Sequence, residues 1–405
     1  MKYINVKQAA EKWNVSTRRI QDLCKRGEIP GAQRWERIWM LPADAVYPGK
    51  IEPNLKMPMP RKSPFLDMTD LYHTPGTADE AARALEGQHE AQALFEAEIA
   101  YCRGDIDAVY DKAHYFLSAH SGFYAVIAGG MLLSLCAMWK GDLELFKKAK
   151  AHICEAPHRS EMDRSILELS LAAVDLSIRD IQGFPDWFKR GCFSCLPADA
   201  HPAAKVYYVK LLMVYVQELA MKKISREGMG GLALMKVLPN TIEPLITQAE
   251  VDKTVMVELY LRLMCAVVCQ NGGDTERAVY HIDKAIALAL PDRLLGPMAE
   301  QRRQLGYLLD DRLALVDPEA LKELKVLHKQ LIVGWTKLHN AVLDKSVSIS
   351  LSPREREVAR LAAFGCSDAE IAAHLHLSKA TVKSIISMAK NKTGAIKRSE
   401  LVAFI

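Results

Sequence analysis

The sequence has no G-x-x-x-x-G-K-[ST] loop, no G-x-S-x-G elbow and no H-E-x-x-H pair. These absences remove a phosphate-loop nucleotide switch, a nucleophile elbow and a zincin site. No other catalytic constellation stands out, so an enzyme is not expected. Cysteine is neither dense nor even in number: nine are scattered over 405 residues. That is unlike a disulfide framework and reads as reduced thiols of a cytoplasmic protein. The opening Met1-Lys2-Tyr3-Ile4-Asn5 lacks a long apolar run, so export is not expected. One stretch, Gly122 to Trp139, passes eighteen residues without a charge, long enough to consider a membrane span. Gly129-Gly130, Ser134 and Cys136 inside it, and helical patterning on both sides, favour a buried helix and no membrane.

What is present is globular: half of the residues are hydrophobic and a quarter charged, enough for about two to four domains. The net charge of +4 is unevenly divided. Residues 1–64 hold 13 Lys/Arg against 6 Asp/Glu, residues 346–405 hold 9 against 5, and the 281 between hold 31 against 38. Basic ends around an acidic middle are the asymmetry of a chain whose ends meet a polyanion. Five of the eighteen prolines lie between Pro48 and Pro64, interspersed with Lys50, Lys56, Arg61 and Lys62. Residues 48–64 therefore read as an extended basic linker, reaching ~50 Å at about 3.1 Å per residue. A second break falls at Asp344 to Ser350, where helical periodicity gives way to alternating serines.

Residues 65–345 read as helices throughout, Ala/Leu-rich, with Gly or Pro at the joints. Gly104-Asp105, Gly141-Asp142 and Gly273-Asp274 each separate two helical runs. Glycine supplies the left-handed helix end and the aspartate caps the next helix, so each pair predicts a helical hairpin joint. Gly273-Asp274-Thr275-Glu276-Arg277-Ala278 with Ala285 resembles the second helix of a tetratricopeptide repeat, and the first two joints are 37 residues apart. Degenerate α-hairpin repeats forming a solenoid are the expectation for this sensor or interaction domain.

Residues 346–405 carry the most specific pattern. Ser352 caps a helix with Pro353 at N1, Glu355 at N3 and Val358 and Leu361 inward. Gly365 ends it, Ser367-Asp-Ala-Glu370 boxes a second helix, and Ser378 starts a third through Lys392. Three capped helices with a tight turn between the last two predict a helix-turn-helix. Leu351-Ser-Pro-Arg-Glu-Arg-Glu-Val358, Gly365-x-Ser367-x-x-Glu370-Ile371-Ala372 and Leu377-Ser378-x-x-Thr381-Val382-Lys383 resemble the LuxR/GerE-type DNA-binding domain, with Lys392, Gly394 and Arg398-x-Glu400-Leu401 matching its last helix. The resemblance implies a four-helix domain whose third helix enters the major groove, giving Thr381, Val382 and Lys383 DNA contact. Lys379, Ser384, Ser387 and Lys390 on the same helix complete the candidate surface, and Val382, Ile385 and Ile386 are candidates for its inner face or for methyl contact. Ser384 stands where that family usually has His. The last helix often dimerises there, so a homodimer is expected. The ATPase module of large LuxR-type regulators has no counterpart in this sequence.

Residues 1–47 form a different reader. Val6 to Trp13 is one short helix, Asn14-Val15 a turn, and Ser16 caps Thr17-Arg18-Arg19-Ile20-Gln21-Asp22-Leu23-Cys24, which stops at Gly27. Ile29 to Arg34 and Arg37 to Pro42 read as two short strands around Trp35-Glu36. The segment resembles the winged helix-turn-helix of MerR-like and excisionase-like proteins. That resemblance implies groove contact from Ser16, Thr17, Arg18 and Arg19 and phosphate contact from Arg34 and Arg37 on the wing. Glu36 replaces the glycine usual in such wings.

Cys192-Phe193-Ser194-Cys195, with His201 nearby, and Cys265 with Cys269 lack a second well-spaced pair, and His114, His281 and His328 stand singly. They read as buried or incidental groups, with no metal and no cofactor. Met213, Met221, Met235, Met256 and Met264 are either ordinary core or the lining of an adaptable apolar pocket. The expectation is a mainly α, cytoplasmic, nucleoid-associated transcriptional regulator, an activator by resemblance. Two DNA heads flank a helical-repeat body that senses a small molecule, peptide or protein and sets head geometry, with RNA polymerase a further partner. An architectural or recombination accessory protein that bends DNA, and an interaction scaffold localised to DNA, are the alternative readings.

Overall fold

The computed structural model describes residues 3–13, 17–35, 38–43, 45, 72–119, 122–221, 226–344, 351, 353–393 and 397–404. The linker prolines, Ser16, Glu36, Arg37, Ser352 and Gly394 lie outside them. The chain divides into two compact units, Met1–Met59 and Pro60–Ile405.

In the first unit, β1 (Tyr3–Asn5), α1 (Val6–Trp13), α2 (Thr17–Lys25), β2 (Gln33–Trp35) and β3 (Ile38–Pro42) build a small α/β head. Asn5 and Gln8 open α1 reciprocally. The Gln8 N–H donates to Asn5 Oδ1 at 2.9 Å and the Asn5 N–H to Gln8 Oε1 at 3.0 Å, satisfying two orphan donors. Val6, Ala9, Ile20, Leu23, Cys24, Ile29 and Leu41 form its core. The sheet is antiparallel in the order β1-β3-β2, with Ile4 opposite Leu41 and Arg34 opposite Trp39. β1 is an addition to the two expected strands. Ile29 to Ala32 is a turn closed by the Ala32 N–H on the Ile29 carbonyl, so the first expected strand begins only at Gln33.

The second unit is helical. Its body comprises α3 (Ala78–Ala84), α4 (His89–Arg103), α5 (Ile106–Ala119), α6 (Phe123–Lys140), α7 (Leu143–Cys154), α8 (Glu161–Ser177), α9 (Asp186–Lys189) and α10 (His201–Met221). There follow α11 (Arg226–Val251), α12 (Val255–Gly272), α13 (Thr275–Ala289), α14 (Leu295–Leu305), α15 (Tyr307–Val316) and α16 (Pro318–Leu343). The three Gly-Asp joints turn as expected. Gly104, Gly141 and Gly273 take φ of 85°, 63° and 88°, and Asp105, Asp142 and Asp274 each accept the backbone N–H three residues on, at 3.1, 3.0 and 3.1 Å. Successive helices pack as antiparallel neighbours, α5 with α6, α6 with α7, α11 with α12 and α12 with α13.

Small residues set these approaches. A Cβ on Gly129 would meet Leu117 of α5, one on Gly130 would meet Ile153 of α7, and one on Gly334 would lie 2.0 Å from the Trp139 carbonyl oxygen. The uncharged run Gly122–Trp139 is therefore α6, clasped by α5, α7 and α16, and 72% of its apolar window is buried in the body. Prolines do not all sit at joints: Pro239 and Pro244 lie inside α11, a helix that packs against α10 and α12. One continuous core runs from Tyr72 to Leu338.

A separate small core, Leu351 to Leu401, belongs to the C-terminal head of α17 (Pro353–Ala363), α18 (Asp368–His374) and α19 (Lys379–Thr393). The expected fourth helix is a 3₁₀ segment, Arg398–Phe404. This head packs on the body: α17 meets α15, the Arg360 guanidinium donates to Asn271 Oδ1 at 3.3 Å, and the 3₁₀ segment meets α10.

Candidate nucleic-acid interface

The geometry of the C-terminal head follows from its caps and pins. Gly365 at φ 94° ends α17. Ser367 then opens α18 with a full capping box, its own N–H on Glu370 Oε2 at 2.7 Å and the Glu370 N–H on its hydroxyl at 3.3 Å. The Ser367 backbone N–H holds the Glu370 carboxyl below its usual range. The turn into α19 passes through His376 at φ 52° and closes by the Leu377 N–H on the Ala372 carbonyl. Arg354 donates to the Leu375 carbonyl at 2.8 Å, tying the start of α17 to that turn. Arg398 joins the 3₁₀ segment to α18 through Asp368 Oδ1 at 2.6 Å and the Cys366 carbonyl at 3.0 Å.

Ser378 caps α19, accepting the Thr381 N–H at 3.0 Å while its hydroxyl meets that of Thr381 at 2.8 Å. Val382, Ile385, Ile386 and Ala389 fall at i, i+3, i+4 and i+7 and face the core. The opposite side presents Lys379, Thr381, Lys383, Ser384 and Ser387 to solvent, and Lys390 is half-buried. No acid occurs in α19. A helix with two exposed ammonium groups, three hydroxyls and no carboxylate suits a phosphate-flanked major groove. Val382 departs from the expected contact set. It is fully buried, so its methyl groups hold α19 to the head and offer no surface to a base.

Residues 349–405 match the family described as bacterial regulatory proteins, luxR family. The C-terminal head is a LuxR-family helix-turn-helix domain. The chain thus carries the DNA-binding domain of a transcription regulator, and the match covers this LuxR-family head alone. No curated protein and no solved structure matches the chain.

In the N-terminal unit, Thr17 and Arg18 are exposed on α2, Arg34 is exposed on β2, and Arg19 lies on α2. Ser16 and Arg37 are outside the described residues. Trp35 and Ile38, directly opposite one another at the end of the hairpin, are 74% and 59% exposed, an apolar tip that sequence reasoning did not single out.

One group among the described residues has a metal-binding donor set. The sulfurs of Cys265 and Cys269 are 4.0 Å apart, and a His281 nitrogen lies with both inside 4.8 Å, all three residues buried. His281 Nε2 is 3.2 Å from Glu243 Oε1, and its Nδ1 has no partner. Hydrogen bonding within the thiol pair holds Cys269 below its usual range and pushes Cys265 above it. The sequence hides this group because His281 lies across the α12–α13 hairpin from the thiols. Cys192 and Cys195 differ: Cys192 is exposed, Cys195 is half-buried, and His201 is turned to the Leu196 carbonyl.

Proposed function

We propose that this protein is a two-headed, sequence-specific transcription regulator, an activator acting as a homodimer. In this reading its helical body senses a ligand or partner and sets the geometry with which the heads engage DNA. The observation that carries the reading is the outward side of α19, where Lys379, Lys383 and three hydroxyls stand exposed over an apolar inner side. Arg18 and Arg34, exposed on α2 and β2, support DNA contact by the N-terminal head. Small heads bind weakly and with strong salt dependence. Joining two in one chain raises the effective concentration of the second once the first is bound. The acidic body is the natural control element, because a ligand changes DNA affinity only by its differential affinity for two body shapes.

The test is selection of fragmented source DNA by the full chain and by two variants, Lys379→Ala/Lys383→Ala and Arg18→Ala/Arg34→Ala. The reading expects promoter fragments from the parent chain. It also expects the first variant to lose about two units of the salt slope of binding. The second variant should bind the same fragments more weakly. Full affinity in the Arg18/Arg34 variant would assign the N-terminal head, with its exposed Trp35 and Ile38, to protein contact. Selection of bent or paired sites without regard to promoters would favour the architectural reading.

A further inference from the structure

The helical body forms a part-open cavity between α6, α8, α10, α12, α14 and α16, of about 90 Å³, beside a second of about 60 Å³ toward α4. The two chambers share Met138, Ser177, Lys210, Met264, Glu300 and Gln301. The first chamber is cationic: Arg303 and Arg179 both lie over the Trp335 ring, 5.4 and 5.8 Å from its centroid. The second is mostly apolar, walled by side chains such as Met131, Leu135, Val174 and Val206.

Arg303 is the anomaly. It is 8% exposed, has no acidic partner among the described residues, and its Nε has no hydrogen bond. Its neighbour in sequence, Arg302, is held bidentately by Asp310 at 2.8 and 2.6 Å, and buried Arg262 sits on Glu258 at 2.6 Å. The one carboxylate in the chamber, Glu300, is already engaged by the Tyr101 hydroxyl at 2.9 Å, the Tyr260 hydroxyl at 3.4 Å and Lys210 at 3.8 Å. Burial pushes the Arg303 guanidinium down to about 9, and like charge from Arg179 and Arg356 adds to it. Beside it Gln301, also buried, has an Oε1 with no partner. A buried cation with like charges and an indole ring about it, and no carboxylate paired to it among the described residues, is strongly unfavourable by itself, and an anion placed on it would relieve that cost.

We propose that this cavity is the effector site of the body and binds a small amphipathic carboxylate. The carboxylate sits on Arg303 over Trp335, a ligand N–H or O–H donates to Gln301 Oε1, and an aryl or short acyl body fills the apolar chamber. This rests on the reading of the body as the sensing module. The size follows from the volumes: the two chambers together offer roughly 150 Å³, room for a benzene-sized guest with a short polar arm, so the ligand has about six to eleven non-hydrogen atoms. Arg356 belongs to α17 of the LuxR-family head, so an anion on Arg303 also quenches a repulsion across the joint between body and head.

The experiment titrates the full chain with phenylacetate and hexanoate, which offer the carboxylate alone, and with mandelate, which adds the hydroxyl donor for Gln301, with neutral phenylacetamide as control. It reads the heat of binding and the melting temperature, for the parent, Arg303→Met and Arg303→Lys. At least one carboxylate should bind the parent and raise its melting temperature, and phenylacetamide should bind about tenfold more weakly or worse. Arg303→Met should melt above the parent without ligand, because an unpaired buried charge is gone, and should lose the response; Arg303→Lys should keep part of it. Failure of all three carboxylates to bind the parent overturns the proposal. So does equal binding of phenylacetamide, or an Arg303→Met that melts lower and responds like the parent. DNA selection is measured on the same samples. Selective DNA binding without any carboxylate response sinks the cavity alone, and a carboxylate response without DNA selection sinks the regulator reading alone.

Discussion

Adjacent residues on α19 do opposite things, and substitution separates them. Lys383 is exposed and Val382 is fully buried. Val382→Ala should therefore lower the stability of the head by about 2 kcal/mol through lost burial and a cavity. Urea denaturation checks this, and the folded fraction should keep the parent's base preference. Lys383→Ala should leave stability within about 0.5 kcal/mol and flatten the salt slope of DNA binding by about one unit. His328 makes a residue-scale prediction about pH. Its Nδ1–H donates to the Ala299 carbonyl at 2.9 Å, and burial, with Arg302, Arg303 and Arg356 nearby, pushes its pKa down to about 4. The folded state therefore resists a proton that the unfolded chain takes up near 6.5. Its contribution is present above pH 6.5 and is lost as pH falls toward 4, worth on the order of 3 kcal/mol. A His328→Asn chain should show a shallower fall in stability between pH 7 and 4; an unchanged slope would clear His328 of the effect.

At the scale of elements, close helix approaches rest on particular glycines. Gly334→Ala places a Cβ 2.0 Å from the Trp139 carbonyl oxygen and 2.6 Å from that of Met138, both backbone, so α16 must move off α6. That should destabilise the body by about 3 kcal/mol or more. Gly129→Ala mainly meets the movable Leu117 side chain, and the helix propensity gained offsets part of the clash, so its effect should stay near about 1 kcal/mol. Thermal melts of the two variants check the ranking. The same elements show what a sequence reveals. Gly104-Asp105, Gly141-Asp142, Gly273-Asp274 and the Ser367/Glu370 box act on their own backbone within a few residues, so their geometry is written locally. β1 was not legible, because three residues gain their structure only by pairing with Pro42, Leu41 and Met40. Proline was expected at the joints, but α11 runs through Pro239 and Pro244 and packs against α10 and α12. The Cys265/Cys269/His281 group and the orphaned Arg303 arise from helices brought together across the body, and no spacing within one helix announces either.

At the scale of the second unit, the LuxR-family head and the body share a joint that gathers several buried guanidinium groups. Arg360 is 4% exposed and donates to Asn271, and Arg356 stands near Arg302, Arg303 and His328. Burial pushes Arg356 and Arg360 each down to about 10, so the docked head holds two desolvated guanidinium groups. A joint of that kind is easily biased, since one anion nearby alters its energy more than it would alter an apolar interface. Docking also sets the 3₁₀ segment against α10, whereas the α19 surface stays exposed. The carboxylate therefore favours the docked head without covering the groove-reading residues. If docking and DNA affinity are linked, phenylacetate or its stand-in should shift the DNA affinity of the parent by about 5- to 150-fold, and DNA should shift the carboxylate affinity by the same factor. Asn271→Ala removes the Arg360–Asn271 hydrogen bond across the joint and leaves both sites intact, so it should bind each ligand alone much as the parent does while the mutual shift shrinks. Paired titrations, DNA with and without carboxylate and the reverse, measure both arms. Equal shifts in the parent and in Asn271→Ala would place the coupling elsewhere than at this joint.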